Sequence, residues 1–269
     1  MKINLNNIID LTNTEFRSNK QGSSDGILPK TRIESRVVYL KASSYSKPFG
    51  IYGKEVLMEL INSRIGKILA VPVLEYGLIN TNIVIDNTVY NTLVSISKDY
   101  KSNKYQSISV EKLYNKQSKP GEKPLDMLKR LGLQDSIYKQ FVYDYVIGNL
   151  DRHGKNNDIL IGKDIKLAPY FDNSLTFVAT KPNNDIINKT EFNDEQRVNN
   201  FIGTQYLNNN LYLIDKQIEV RLPRKSDRQY LFQGLSRVTT RAFRDYVWYM
   251  LNRRVDNVRS KNIQTILWR

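Results

Sequence analysis

An α+β chain of two lobes is what this sequence predicts, and three observations carry the prediction. The first third alternates β-branched and aromatic runs with turns, around one helical stretch. From about Asp135 onward the apolar spacing turns helical. The length of 269 residues suits one large domain or two small lobes around a cleft, with 40% hydrophobic and 10% aromatic residues to fill a core.

Asn19 to Gly26 is polar and reads as a turn. Arg36-Val37-Val38-Tyr39-Leu40-Lys41 has the composition of a strand that ends in a lysine. Ser43 to Gly53 is turn-rich. A helix is expected over 54–65, where Leu57, Leu60, Ile61 and Ile65 recur at helical spacing, with Gly66 to stop or bend it. Leu69 to Glu75 and Ile83 to Ser97 supply further strands, so the first lobe, 1–97, is a small sheet with one helix against it. Lys98 to Pro124 is polar, punctuated by Gly121 and Pro124, and begins the second lobe, 98–269. There Tyr138, Phe141, Val142, Tyr145 and Val146 line one helix face that ends at Gly148. Asp158 to Ile161 and Ile165 to Leu167 flank Gly162-Lys163-Asp164 as a hairpin. Asn193 to Phe201 and Arg241 to Val258 read as helices, and Tyr246, Trp248 and Tyr249 of the latter read as core.

Composition removes whole classes of chemistry. The chain has no cysteine, which excludes disulfides, thiolate metal sites and a cysteine nucleophile. It has one histidine, His153, so a histidine-ligated metal centre cannot form within it, and a catalytic metal would need oxygen ligands. No segment approaches the roughly 20 apolar residues of a membrane span, and the start of the chain has no apolar signal core, so a cytoplasmic location without a membrane partner is expected. The net charge is +14, and from Glu219 to Arg269 ten Arg and two Lys face four carboxylates. Such a surface attracts polyanions, nucleic acid among them, and equally describes a solvated Arg-rich helix.

The chemistry concentrates in Gly148-Asn149-Leu150-Asp151-Arg152-His153-Gly154-Lys155-Asn156-Asn157-Asp158, between a helix and the hairpin. The hairpin returns the chain to Ala168-Pro169-Tyr170-Phe171-Asp172, which can set Asp172 beside Asn156. Hard oxygen ligands from Asn156 and Asp172 suit Mg²⁺, and Asp151 is then free to orient an attacking hydroxyl and accept its proton. The alternative is that all three are turn-formers capping local backbone. His153 is open to two readings, a proton shuttle or a buried imidazole that holds the loop.

Asp151-Arg152-His153-Gly154-Lys155-Asn156, followed by Ala168-Pro169-Tyr170-Phe171-Asp172, resembles the HipA-like serine/threonine kinases, whose pattern is Asp-x-His-x-Lys-Asn and then an aromatic residue and Asp after Leu-x-Pro. The loop is also similar to the Asp-Arg-His-x-x-Asn loop of phosphatidylinositol kinases. Upstream, Ser23-Ser24-Asp25-Gly26-Ile27-Leu28-Pro29-Lys30 resembles the HipA-like phosphate loop, although Gly26-Ile27-Leu28 stands where Gly-x-Gln is usual. The resemblance spans roughly Gln21 to Thr176 and implies a short, stand-alone form without the HipA N-terminal subdomain.

It implies a bilobal protein-kinase-like fold, a small β-rich N-lobe and a larger helical C-lobe, using ATP and Mg²⁺. Asp151 would be catalytic, and Asn156 and Asp172 would bind metal. Lys41, Gly22, Ser23, Ser24, Gly26, Lys30 and Glu55 would form the ATP site, with Glu55 preferred to Glu59 as the residue that positions Lys41. His153 and Lys155 would support the catalytic loop. Ser23 or Ser24 would be autophosphorylated. The implied partners are a protein substrate, an aminoacyl-tRNA synthetase or another translation factor, and a cognate antitoxin. A lipid or small-molecule kinase, and a nucleic-acid-binding module on a degenerate kinase fold, are the alternatives.

Overall fold

The computed structural model describes residues 3–16, 30–33, 38–101, 104–176, 195–261 and 263–269. Its first part is a five-stranded sheet of order β1-β6-β7-β3-β2, formed by β1 (Ile3–Glu15), β2 (Lys30–Ile33), β3 (Val38–Ala42), β6 (Tyr76–Ile85) and β7 (Thr88–Lys98). A small hairpin, β4 (Tyr45–Ser46) with β5 (Gly50–Ile51), follows β3. β1 runs parallel to β6, and the other pairings are antiparallel. In β3 the alternation required of a pleated strand buries Val38, Leu40 and Ala42, and leaves Tyr39 and Lys41 to the opposite face.

Helix α1 (Glu55–Ile68) lies against β6 and β7. It runs through Gly66 rather than stopping there. A Cβ at Gly66 would overlap the Val73 side chain, so glycine serves close packing in a continuous helix. Two expected strands also change. Leu69 to Glu75 is a connection whose one bridge joins Val73 to Tyr170. Ile83 to Ser97 is folded in two by a turn at Asp86 and Asn87, both at positive φ (48° and 63°), the geometry of a two-residue type I′ hairpin.

The second part opens with β8 (Gln106–Ser109), α2 (Val110–Gln117) and α3 (Pro124–Arg130). Helix α4 (Gln134–Ile147) is its axis. Tyr138, Phe141, Val142, Tyr145 and Val146 are all buried, and Gly148 closes the helix at φ 62°. The hairpin forms as expected from β10 (Asp158–Ile161) and β11 (Ile165–Leu167), with β8 as a third strand on the far side of β10. Two-residue strands β9 (Asp151–Arg152) and β12 (Asn199–Asn200) pair in parallel. The described residues of the expected helix over 193–201 therefore hold a strand instead. A short 3-10 helix (Asn208–Leu213), β13 (Ile218–Val220), α5 (Asp227–Phe232), α6 (Arg241–Ser260) and β14 (Ile266–Trp268) complete the chain. In α6 Tyr246 is core, Trp248 is half-buried and Tyr249 is exposed, so the aromatic stripe only partly points inward. A core running from α1 through α4 to α6 joins the two parts, and a smaller cluster fills the far side of the five-stranded sheet.

Candidate active site

Lys41 leaves the open face of β3 with its side chain only 15% exposed. Its ammonium donates to Glu59 Oε1 at 2.8 Å, Asp172 Oδ1 at 2.6 Å and Ser174 Oγ at 3.2 Å, one acceptor for each of its three protons. Burial alone would lower its pKa, but the facing carboxylates of Asp172 and Glu59 outweigh that and hold Lys41 above its usual range, so it stays charged. Glu59 lies in the second turn of α1 with no exposed surface, and its Oε2 accepts the Asn173 backbone N–H at 3.1 Å. Burial, helped by the Asp172 carboxylate, raises its pKa against the pull of Lys41.

The expectation that Glu55 positions the lysine is corrected by this geometry. Glu55, one turn earlier on α1, is buried against Ser44 and accepts from its hydroxyl. Glu59 holds Lys41. Both glutamates share one helix face, but Glu55 is consumed by the turn that precedes the helix.

The other half of the site is built on α4. After Gly148 the chain turns sharply into Asn149 to Asn157, and the buried side chain of Arg152 organises that loop. Its Nε and Nη2 form a two-pronged pair with Asp144 at 3.0 and 2.7 Å. Its Nη1 donates to the Asn156 carbonyl at 3.2 Å and the Phe171 carbonyl at 2.9 Å, and Nη2 also reaches Asn173 Oδ1. Arg152 and Asp144 are each 2% exposed. Burial acts to lower the Arg152 pKa, and the Asp144 carboxylate more than offsets it. One nitrogen thus bolts the Asp151–Asn156 loop to the peptide before Asp172. That contact brings the Asn156 and Phe171 carbonyls to one nitrogen, and it belongs to Arg152, a residue that sequence reasoning left without a role.

Asp151 begins β9 with its side chain about one-third exposed. Asn199 donates to its Oδ1 at 2.9 Å, and His153 Nε2 stands 3.8 Å from its Oδ2. Asn156 is buried, and its Nδ2 donates to the Asp151 carbonyl at 2.9 Å, which turns the carboxamide oxygen away from that carbonyl. His153 is half-buried rather than buried. It does tie the loop, because its Nδ1 accepts the Lys155 backbone N–H at 3.2 Å, while the Lys155 side chain is exposed. Asp172 is at φ +54°, a left-handed conformation that a non-glycine residue holds at a cost of roughly 1–3 kcal/mol and that clusters at functional sites. Its carboxylate is 40% exposed, and its N–H meets the Tyr76 hydroxyl at 3.4 Å.

Asn156 and Asp172 offer one carboxamide and one carboxylate oxygen end. Among the described residues there is no group of three or more His, Cys, Asp or Glu placed to hold a metal. That sparse hard-oxygen set fits Mg²⁺, which keeps several waters and binds through one or two protein groups plus substrate phosphates. Lys30 pairs with Lys41 across β2 and β3, and its side chain is outside the described set. Gly22, Ser23, Ser24 and Gly26 also lie outside the described residues. Several arginines of the basic tail face its own carboxylates, Arg221 with Asp227, Arg228 with Asp245 and Arg269 with Glu219. No described helix is long and apolar enough to cross a membrane.

No protein-family model matches the sequence, and no curated protein is significantly similar to it. Solved structures are similar in fold. The proinflammatory kinase CtkA of Helicobacter pylori superposes with a TM-score of 0.60 over 96% of this chain and 98% of that one, at 14% identity. HipA from a Shewanella oneidensis toxin–antitoxin complex with HipB and operator DNA superposes with a TM-score of 0.45, over 93% of this chain and 59% of that one, at 12% identity. The CtkA superposition shows a kinase-like α+β fold over nearly the whole length of this chain.

Proposed function

We propose that this chain is an ATP- and Mg²⁺-dependent phosphotransferase that acts on serine or threonine hydroxyls of proteins. The observation that carries the reading is the connected network in which Lys41 bridges Glu59 and Asp172 while Arg152 ties the Asp172 segment to the Asp151–Asn156 loop. A lysine paired to a helix glutamate beside an acidic metal ligand is the arrangement phosphoryl transfer needs, because its catalysis is mainly positioning and charge neutralisation.

In this reading the lobes divide between residues 97 and 98. Lys41 neutralises nucleotide phosphate charge, and Glu59 keeps it aimed. Asn156 and Asp172 would hold Mg²⁺, which when bound shields the phosphate oxygens. Lys41 now lies against the Asp172 carboxylate, so cation and nucleotide binding would draw Asp172 away from it while Glu59 retains it. Asp151 accepts the hydroxyl proton. The serine/threonine acceptor, autophosphorylation at Ser23 or Ser24, a translation-factor substrate, an antitoxin partner and a cytoplasmic location are the finer terms of the same proposal, and they draw on the motif resemblance.

The test is transfer from γ-labelled ATP into a cell lysate, with mass spectrometry of the labelled protein and of Ser23 and Ser24. Label should appear with wild type and vanish with Asp151→Asn and Asp172→Ala. A thermal shift on adding Mg-ATP, lost in Asp172→Ala, should accompany it. Transfer by wild type equal to that of Asp151→Asn would refute the reading.

A further inference from the structure

We infer that Asn199 is a positioning residue for phosphoryl transfer, holding the Asp151 carboxylate in the orientation that receives the acceptor's proton. The inference rests on the phosphotransferase reading above and adds to it a residue some fifty positions away in the chain.

The backbone makes the case first. β12 is laid in parallel against β9 so that Asn199 faces Asp151 and Asn200 faces Arg152. Asn199 N–H donates to the Leu150 carbonyl at 2.9 Å and Phe201 N–H to the Arg152 carbonyl at 3.2 Å, so main-chain bonds grip the loop on both sides of Asp151. The strap is itself braced. Val198 N–H reaches the Gln205 carbonyl and Leu207 N–H the Gln196 carbonyl. The Asn200 side chain accepts from Ile202 and Gly203 N–H, both at 3.0 Å. None of these contacts uses the Asn199 side chain, which is exposed and spends its Nδ2 on Asp151 Oδ1 at 2.9 Å.

That single bond divides the carboxylate. An aspartate one-third exposed would otherwise sample several rotamers. With Oδ1 engaged by Asn199, Oδ2 is the oxygen turned to the acceptor, and His153 Nε2 at 3.8 Å is too far to occupy it by hydrogen bonding. In the transfer, the acceptor O–H gives its proton to Oδ2 as its oxygen bonds the γ-phosphorus. The bond from that phosphorus to the β–γ bridging oxygen breaks, and ADP leaves with the electron pair.

The experiment compares initial rates of transfer from γ-labelled ATP into the lysate acceptor for wild type, Asp151→Asn, Asn199→Ala, Asn199→His and Asn199→Asp, with a melting temperature for each. Asn199→Ala should lower kcat on the order of 10- to 100-fold, the scale of a slightly misplaced catalytic group, with KM for ATP and melting temperature near wild type. Asn199→His should restore much of the rate, because its Nδ1–H sits the same number of bonds from Cβ as the lost donor. Asn199→Asp, nearly isosteric, should be the slowest of the three Asn199 variants because it sets a carboxylate against a carboxylate. An active wild type with Asn199→Ala within twofold of it, or losses that follow melting temperature with no rescue by histidine, overturns the assignment alone. An inactive wild type, or an Asp151→Asn variant as active as wild type, overturns the phosphotransferase reading and the Asn199 assignment with it.

Discussion

Replacing Asp144 by asparagine isolates the charge beneath the Asp151–Asn156 loop with little change in volume. The Asp144 carboxylate accepts from Arg152 Nε and Nη2 at 3.0 and 2.7 Å, and from Asn149 Nδ2 at 3.0 Å. Asparagine turns one of the two acceptor oxygens into an NH₂ that must point at another donor, and it leaves the Arg152 guanidinium, 2% exposed, without its counter-charge. Breaking a buried pair from one side costs about 3–5 kcal/mol, most of it the desolvation of the stranded ion. For a chain of this size each kcal/mol moves the melting temperature by roughly 2–4 °C, so Asp144→Asn should melt about 6–20 °C below wild type. The assay is urea unfolding at pH 7 with a thermal scan beside it. The double variant Asp144→Leu with Arg152→Met removes both charges and should lose less than the sum of its single substitutions. A loss below about 1 kcal/mol in Asp144→Asn, or strict additivity in the double variant, would refute the claim that this ion pair anchors the loop.

Three further outcomes are expected. Glu59→Gln sets an amide NH₂ against either Lys41 or the Asn173 N–H and should lower kcat by on the order of 100-fold, whereas Glu55→Gln should change stability and leave kcat near wild type; steady-state kinetics of both variants decide between the two glutamates. Gly66→Ala should destabilise by about 1–3 kcal/mol in denaturant titration, despite alanine's better helix propensity, because its methyl meets Val73, and Val73→Ala should relieve the loss. Arg130 and the Lys119 N–H hold the Glu122 carboxyl down to about 2 from 4.5, so stability from this group is full above 4.5 and is lost as pH falls through about 2. The stability difference between wild type and Glu122→Gln should therefore shrink between pH 5 and pH 2, and a difference that stays constant over that range would contradict the assigned contact.

What could be read in the sequence was local. Lys41 lies one residue from the end of a strand of β-branched and aromatic residues, the α4 face repeats with helical spacing up to Gly148, and Gly162-Lys163-Asp164 turns the chain between β10 and β11. What escaped depends on contacts between distant segments. Glu55 and Glu59 are equivalent by periodicity, and what separates them is tertiary: Ser44 engages Glu55, while Lys41 and the Asn173 N–H engage Glu59. Arg152 stands in plain view within the motif, but its role needs Asp144, one turn before the end of the preceding helix, and the carbonyl of Phe171. β1 is rich in asparagine and its pairing with β6 is interrupted by register shifts, so no clean two-residue period marks it. The stretch around Asn199 carries polar residues that suit a helix surface, and it becomes a strand where Asp151 and Arg152 offer it a backbone edge.

Helix α1 is stitched into its surroundings from several sides. Twelve of its fourteen residues are buried, and Glu59 and Asn62 fasten it to the backbone of Asn173. Asn62 also reaches Thr176, and Arg64 grips the carbonyls of Leu231 and Gln233 at the end of α5. Kinases that toggle between idle and working forms commonly do so by moving the helix that carries the lysine's glutamate. Here that movement would break the buried bonds to Asn173 and Thr176 and the more exposed ones to Leu231 and Gln233 at once. On the phosphotransferase reading proposed above, a switch that moved this helix would have to undo both sets of bonds, whereas one acting on the strand that carries Lys41 would leave them in place.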